Sequence, residues 1–197
     1  MKNRKKFMLL VIGIFILLLL FSVVQIYAKY LTSSTGKTNL KIAKWNIIVN
    51  TKSIKNNSDI SSAIVPVFEG NENISDGIIA PTATGYFDLD FDFSDADVTF
   101  KYKINVSADE NSSVTDLVST GYSIDDGEII NFDNFNQTIS DTILLNSNVK
   151  KRKIRVYILW NDDDTTATMT NEDDTKSAVE DTPALLDVNI SFTQVAE

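Results

Sequence analysis

Apolar and polar residues alternate with a period of two along much of the chain. In residues 87–93 every second side chain is apolar, and the three between them are aspartates. Residues 98–106 repeat the alternation, with lysines among the polar positions. Such alternation indicates strands with one buried and one solvated face. We predict that the two segments form an antiparallel hairpin across a Ser-Asp-Ala-Asp turn. Opposite charges then face each other, in the pairs Asp90 with Lys101 and Asp88 with Lys103.

Similar patterns predict further strands and place the chain in the all-β class. They cover residues 41–49, 62–68, 120–124, 128–132, 138–145, 151–160 and 184–195. An Asp-Asp-Gly turn at 125–127 separates two of them. Residues 111–118 alone have a mildly helical pattern. Roughly nine short strands with regular turn signals predict an antiparallel β-sandwich, preceded by an N-terminal hydrophobic helix.

The first 28 residues differ from the rest. Four basic residues and no acid accompany an apolar run from Phe7 to Phe21. A basic start, an apolar core and a small residue at Ala28 are the parts of a secretory signal, so we predict that a signal peptidase cuts between Ala28 and Lys29. About twenty apolar residues suffice to span a bilayer, so an uncleaved membrane anchor is the alternative. Either way, the remainder is exported.

This pattern divides the chain into three parts. Residues 1–28 are a signal peptide or N-terminal membrane anchor, and residues 29–40 are a flexible mature N-terminus or linker. Residues 41–197 form the β-sandwich domain. We expect the protein to be extracellular or on the cell surface, held at the membrane only if the first part is retained.

Composition excludes several kinds of chemistry. The whole chain carries a net charge of −9 and residues 1–28 carry +4, so the remainder carries −13. An acidic domain repels nucleic acid. The chain has no cysteine and no histidine, so it lacks a thiol nucleophile, the usual general base and every His-bearing zinc site. We therefore expect that the protein is not an enzyme, that it has no organic cofactor and that it does not bind nucleic acid.

Basic residues cluster in the segment KKRKIR at 150–155. One interpretation is that this segment docks onto the acidic runs of a neighbouring copy. The other is that the segment is the charged entry to a strand and discourages aggregation at a sheet edge.

A second charged segment, at 160–182, is rich in acids. Its candidate metal ligands are Asp162, Asp163, Asp164, Glu172, Asp173 and Asp174. Calcium takes six to eight oxygen ligands, so these carboxylates suggest a calcium site, although their spacing does not fit an EF-hand. The alternative is a mobile polar connection without a metal.

Several short segments together resemble a known family. In chain order they are YAKYLTSSTG, IAKWNI, IIAPTATGYFDLDFD, IRVYILWNDDD and VNISFTQV. The set resembles small exported proteins of Gram-positive bacteria related to TasA and camelysin, which a SipW-type signal peptidase processes. The resemblance implies a jelly-roll-like sandwich and, as in the better-known members, fibres of the biofilm matrix in which one copy donates a strand to the next. Camelysin has been described as a metalloprotease, but this chain has no H-E-x-x-H motif, so no protease activity is carried over.

These observations lead to two functional hypotheses. The first is a non-catalytic structural protein of the cell surface or extracellular matrix that self-associates by strand addition. Residues 29–40 would then be the donated strand, or else a plain linker. The alternative is a membrane-anchored extracellular binding module, calcium-dependent through the acidic loop at 162–174.

Overall fold

The computed structural model describes residues 2–30, 43–55, 60–180 and 182–195. The chain divides into two compact units, Met1–Lys41 and Ile42–Glu197. The first contains helix α1 (Lys2–Tyr30), whose described apolar side chains are exposed. Within the described residues, no helix combines the length and apolar character needed to cross a membrane.

The predicted cleavage point lies within α1, because the helix continues through Ala28 and Lys29. Cleavage at this point stays a prediction. Most of the predicted donor segment, at 31–40, lies outside the described residues.

The second unit consists mainly of strands. Within the described residues its elements are β1 (Trp45–Val49), β2 (Lys52–Ser53), β3 (Val67–Phe68), β4 (Thr84–Ala96), β5 (Phe100–Ala108), β6 (Leu117–Ile124), β7 (Ile130–Asn131), β8 (Ile139–Ile143), β9 (Lys151–Trp160), α2 (Asn171–Val179) and β10 (Leu186–Gln194), with a 3₁₀ turn at Ser61–Ala63. Every strand pairing among them is antiparallel. The prediction of a mostly β, antiparallel fold is therefore confirmed.

The strands of the described residues form two sheets. The seven-stranded sheet has the order β2-β1-β4-β9-β6-β7, with β3 also paired to β4, and the three-stranded sheet has the order β10-β5-β8. Buried side chains of both sheets belong to one apolar cluster. Phe91 of β4 makes edge-to-face ring contacts with Tyr102 of β5 and Phe192 of β10, with centroids 5.5 and 5.4 Å apart. Arg152 of β9 also reaches Asp141 of β8 at 2.8 Å, so an ion pair joins the two sheets.

The predicted hairpin between β4 and β5 is wrong, because the two strands lie in different sheets. β4 pairs with β9 instead, and its aspartates face basic residues there: Asp88 with Arg155, Asp90 with Lys153 and Asp92 with Lys151. The chain crosses to the other sheet after β4. This crossing lets the apolar faces of β4 and β5 pack on each other, as the rings of Phe93 and Phe100 do at 5.4 Å.

Two further local predictions have opposite outcomes. The hairpin around the Asp-Asp-Gly turn is confirmed, since β6 pairs with β7. Asp125 and Asp126 both have positive φ angles, of 51° and 58°, as the tight turns of hairpins require. The helical prediction for residues 111–118 is wrong, because the segment is a turn that leads into β6 at Leu117.

Candidate functional site

One edge of β10 is open. All nine residues of β10 pair with β5, and within the described residues no strand pairs with the other side. Two hydrogen bonds, from the Val195 amide to the Thr99 carbonyl and from the Asp109 amide to the Leu185 carbonyl, fix which residues face β5. In an antiparallel pair the alternate residues turn their backbone groups away from the partner strand. The residues that do so are Leu186, Val188, Ile190, Phe192 and Gln194.

The apolar side chains of β10 are only half-buried. Leu186, Val188, Ile190 and Phe192 pack against the shared core but keep intermediate exposure. Phe192 contacts the ring of Phe100 at 6.0 Å. Because no described strand covers the outer flank, an added strand would remove more of this apolar surface from water.

The edge has few of the usual protective features, since Asp187 is its one charged side chain. Natural edge strands carry lysines, prolines or bulges that discourage pairing with another chain. Between Leu186 and Gln194, all of which are described, there is no lysine and no proline, and the register with β5 is continuous. The edge can therefore accept an extended segment through its backbone groups.

The basic segment at 150–155 lies mainly in β9, between β4 and β6. The segment is the charged entry to a strand, as one interpretation predicts, but that strand lies inside the sheet, so the segment does not protect a sheet edge. Its cations pair with acids of the same chain: Lys151 with Asp92 at 3.1 Å, Arg152 with Asp141 at 2.8 Å, Lys153 with Asp126 at 3.0 Å, and Arg155 with Asp88 at 2.7 Å. These pairs leave little free positive charge in the segment for docking to another copy.

The pair of Asp88 and Arg155 is bidentate. Its two hydrogen bonds measure 2.7 and 2.9 Å, and each side chain is 28% exposed. The hydrogen bond from Arg155 holds the pKa of Asp88 below its ordinary value, and the same bond raises the pKa of Arg155. The guanidinium also lies 3.9 Å from the centroid of the Tyr86 ring. These contacts indicate that the charges of β4 and β9 stabilise the pairing of the two strands.

The acidic residues predicted to bind a metal are divided between two places. Asp162, Asp163 and Asp164 follow β9, whereas Glu172, Asp173 and Asp174 lie in the first turn of α2. Among the described residues, no three acidic side chains are placed to share a metal ion.

Two of these carboxylates instead form hydrogen bonds within their own segments. Thr170 and Asp173 form a reciprocal capping box at the start of α2. The Asp163 carboxylate accepts a hydrogen bond from the Thr165 amide at 2.8 Å, and bonds from Thr165 lower the pKa of Asp163. Part of the predicted mobile connection is therefore an ordered, capped helix.

Two buried carboxylates hold this region against the strands. Asp174 is 6% exposed and accepts a 3.2 Å hydrogen bond from Trp160 Nε1. Burial raises the pKa of Asp174, and nearby carboxylates add to the effect. Asp116, 4% exposed, accepts bonds from the amides of Thr168 and Met169 at 2.7 and 2.6 Å. Sequence reasoning missed Asp116, which is a single acid in a mostly polar segment and gives no local signal of its burial.

Comparisons of the chain with protein-family models, curated proteins and solved structures gave no match.

Proposed function

We propose that this chain is an exported, non-catalytic structural protein of the cell surface or extracellular matrix, and that its copies associate by strand addition. The observation that carries the proposal is the open edge of β10, with unpaired backbone groups and half-buried apolar side chains on the same residues. A segment that paired there would gain backbone hydrogen bonds and apolar burial together.

The finer architecture belongs to the same proposal. We infer that the two sheets pack face to face as a jelly-roll-like β-sandwich, as in the TasA and camelysin group. The shared apolar cluster and the ring contacts of Phe91 support this arrangement. An all-apolar run after a basic start supports export, and a chain without cysteine suits a Gram-positive secreted protein.

The donor in this proposal is the mature N-terminus, residues 29–40. The segment has few charges, and cleavage after Ala28 would free it to reach the β10 edge of another copy. If the N-terminal segment were retained in the membrane, the donor could not move freely, and the anchored binding module would be the better hypothesis.

The test begins with intact mass and N-terminal sequencing of the protein from membrane and medium fractions of expressing cells. The proposal expects a species that starts at Lys29 in the medium and forms large assemblies by electron microscopy. A variant with residues 31–40 replaced by a Gly-Ser stretch of equal length should export normally and fail to assemble. A synthetic peptide of residues 29–40 in excess should also block assembly. Full-length protein confined to membranes, or undiminished assembly of the Gly-Ser variant, would contradict the proposal.

One observation favours the second candidate, a calcium-dependent binding module. Asp174 is buried with Asp162, Asp116 and Asp173 nearby, all of which disfavour its charge. A bound cation would offset that cost, but the described carboxylates are not placed to share one metal ion. A rise in Tm in millimolar calcium, absent in Asp174→Asn, would support this candidate, because a ligand that binds only the folded state stabilises it. An unchanged Tm would count against it.

A further inference from the structure

One charged side chain lies on the solvated face of β10. Asp187 is exposed, and the other side chains on that face are the uncharged Asn189, Ser191 and Thr193. On β5, Asp187 faces Ser107, and it has no ion-pair partner among the described residues. A cation on a strand added at the open side of β10 would therefore meet an unpaired carboxylate.

The donor segment has a matching single charge. Its residues 30–38, with the sequence YLTSSTGKT, contain Lys37 and no other charged residue. A strand added to β10 would have one face on the apolar core and one face in solvent. Lys37 belongs on the solvated face, because burial of an unpaired ammonium group is costly. A one-residue shift would turn Lys37 into the core, so it shares a face with Asp187.

The fold fixes the end at which the chain enters the domain. The Asp97 amide donates a hydrogen bond to the Lys44 carbonyl, and the Val195 amide donates one to the Thr99 carbonyl. The start of the domain and the end of β10 therefore lie at the same end of the strands, which we call the entry end.

The direction of the donor decides what kind of assembly forms. A donor antiparallel to β10 runs from the entry end of the acceptor to the opposite end, beside Leu186. Its own domain then lies beyond that end, and repetition of one heterologous contact gives an open filament. A parallel donor would bring two entry ends together, and reciprocal exchange would close a pair. Every pairing among the described strands is antiparallel, and antiparallel pairs are slightly more stable.

We propose that residues 30–38 of one copy lie antiparallel to β10 of the next copy, with Lys37 opposite Asp187. This inference rests on the strand addition proposed above and specifies its direction and register. All nine residues of β10 are then paired, and the opposite charges attract across the two strands. Residues 39–44 connect the donor to its own domain, and six residues span at most about 20 Å, so consecutive domains lie close together.

Two features select this register over its neighbours. A shift of two residues in one direction places Lys37 opposite Asn189 and moves Tyr30 beyond the end of β10. A shift in the other direction moves Lys37 beyond the start of β10. The proposed register keeps the charge pair and places Tyr30 at the entry end, where Phe192 and Trp45 are only half-buried.

A charge swap tests the pair in exported protein that starts at Lys29. Lys37→Asp or Asp187→Lys should raise the concentration needed for assembly about threefold to tenfold, because attraction becomes repulsion. Both changes in one chain should restore assembly to within about twofold of the wild type. The matched control is Lys150→Asp, at an exposed lysine that precedes β9 in the other sheet, and it should also stay within about twofold. Thermal unfolding verifies that each variant is folded.

Engineered cysteines test the register, since the chain has none of its own. Opposite residues on the solvated face are non-hydrogen-bonded pairs with Cα atoms about 4.5 Å apart, within reach of a disulfide. Thr35→Cys with Asn189→Cys should therefore give ladders of linked copies when assemblies are oxidised and run on a non-reducing gel. Thr35→Cys with Ser191→Cys is the control: its positions are diagonal, about 7–8 Å apart, and should link at least about fivefold less.

The outcomes separate this inference from strand addition itself. Assemblies that link residue 35 to residue 191 more than to residue 189, or that link only within one chain, would overturn the register and leave strand addition in place. Wild-type assembly of Lys37→Asp, or a swapped variant as weak as the single variants, would do the same. Failure of the wild type and of the reduced cysteine variants to assemble at all would overturn both proposals.

Discussion

Removal of the Asp88 carboxylate is the mutation that most sharply tests the strand order. Asp88 and Arg155 share two hydrogen bonds of 2.7 and 2.9 Å, and each side chain is 28% exposed. Exposed ion pairs contribute at most about 1 kcal/mol, whereas removing one partner of a buried pair costs about 3–5 kcal/mol. A bidentate pair of intermediate exposure should therefore have a coupling energy of about 1–2 kcal/mol.

A double-mutant cycle measures that coupling. Urea unfolding of Asp88→Ala, Arg155→Ala and the double variant gives the pairwise energy as the departure from additivity. Asp90→Ala is the matched control on the same strand, because Asp90 is exposed and makes no ion pair among the described residues. We expect the control to change the free energy of unfolding by no more than about 0.5 kcal/mol.

A second cycle, between Asp88 and Lys103, tests the alternative pairing. The coupling should be close to zero, because β4 and β5 lie in different sheets. If Asp88 coupled to Lys103 and not to Arg155, the hairpin inferred from the sequence would be right and the pairing of β4 with β9 would be refuted. The Asp88–Arg155 coupling should also weaken in acid. The pKa of Asp88 is lowered in the folded state, so its contribution is lost as pH falls through that pKa.

Three further changes test the region of α2 and the acids of β4. Thr170→Ala removes the capping box of α2 and should destabilise the protein by about 1 kcal/mol relative to Thr170→Ser in thermal unfolding. Burial raises the pKa of Asp174, so wild-type stability should fall as pH rises through that folded-state pKa, and Asp174→Asn should abolish this slope in urea titrations. Asp92 acts in the opposite direction: hydrogen bonds from Ser94 and then from Lys151 lower its pKa to about 2. Its contribution is therefore present above about pH 4 and lost below it, and Asp92→Asn should lack that loss. Equal stability of the two Thr170 variants, or unchanged slopes in the Asn variants, would contradict these assignments.

The strands were the most predictable part of the fold. The alternation in residues 151–160 predicts β9 with the bounds that the structure gives, and residues 184–195 contain β10. Alternation shows which side chains of a strand face the core, but it does not identify the neighbouring strand. The charge pattern did not identify the neighbour of β4, because its acids could face either the lysines of β5 or the basic residues of β9. The choice depends on how the two sheets bury their aromatic faces against each other.

The acidic region and the open edge of β10 were predictable only in part. Composition indicated a polar connection at 160–182, but local pairs such as Thr170 with Asp173 cap a helix there. The burial of Asp174 and Asp116 follows from contacts with distant segments, which the local sequence does not encode. The open edge could not be predicted either, since it depends on which strand comes last in the three-stranded sheet.

Residue-resolved amide hydrogen exchange along β10 tests the central claim most directly, in dispersed and in assembled protein. The amides that face β5 should be protected in both states: Asp187, Asn189, Ser191 and Thr193. The outward amides should exchange rapidly in the dispersed protein and become protected on assembly: Leu186, Val188, Ile190, Phe192 and Gln194. Assemblies in which the outward amides exchange as fast as in the dispersed protein would contradict strand addition at this edge.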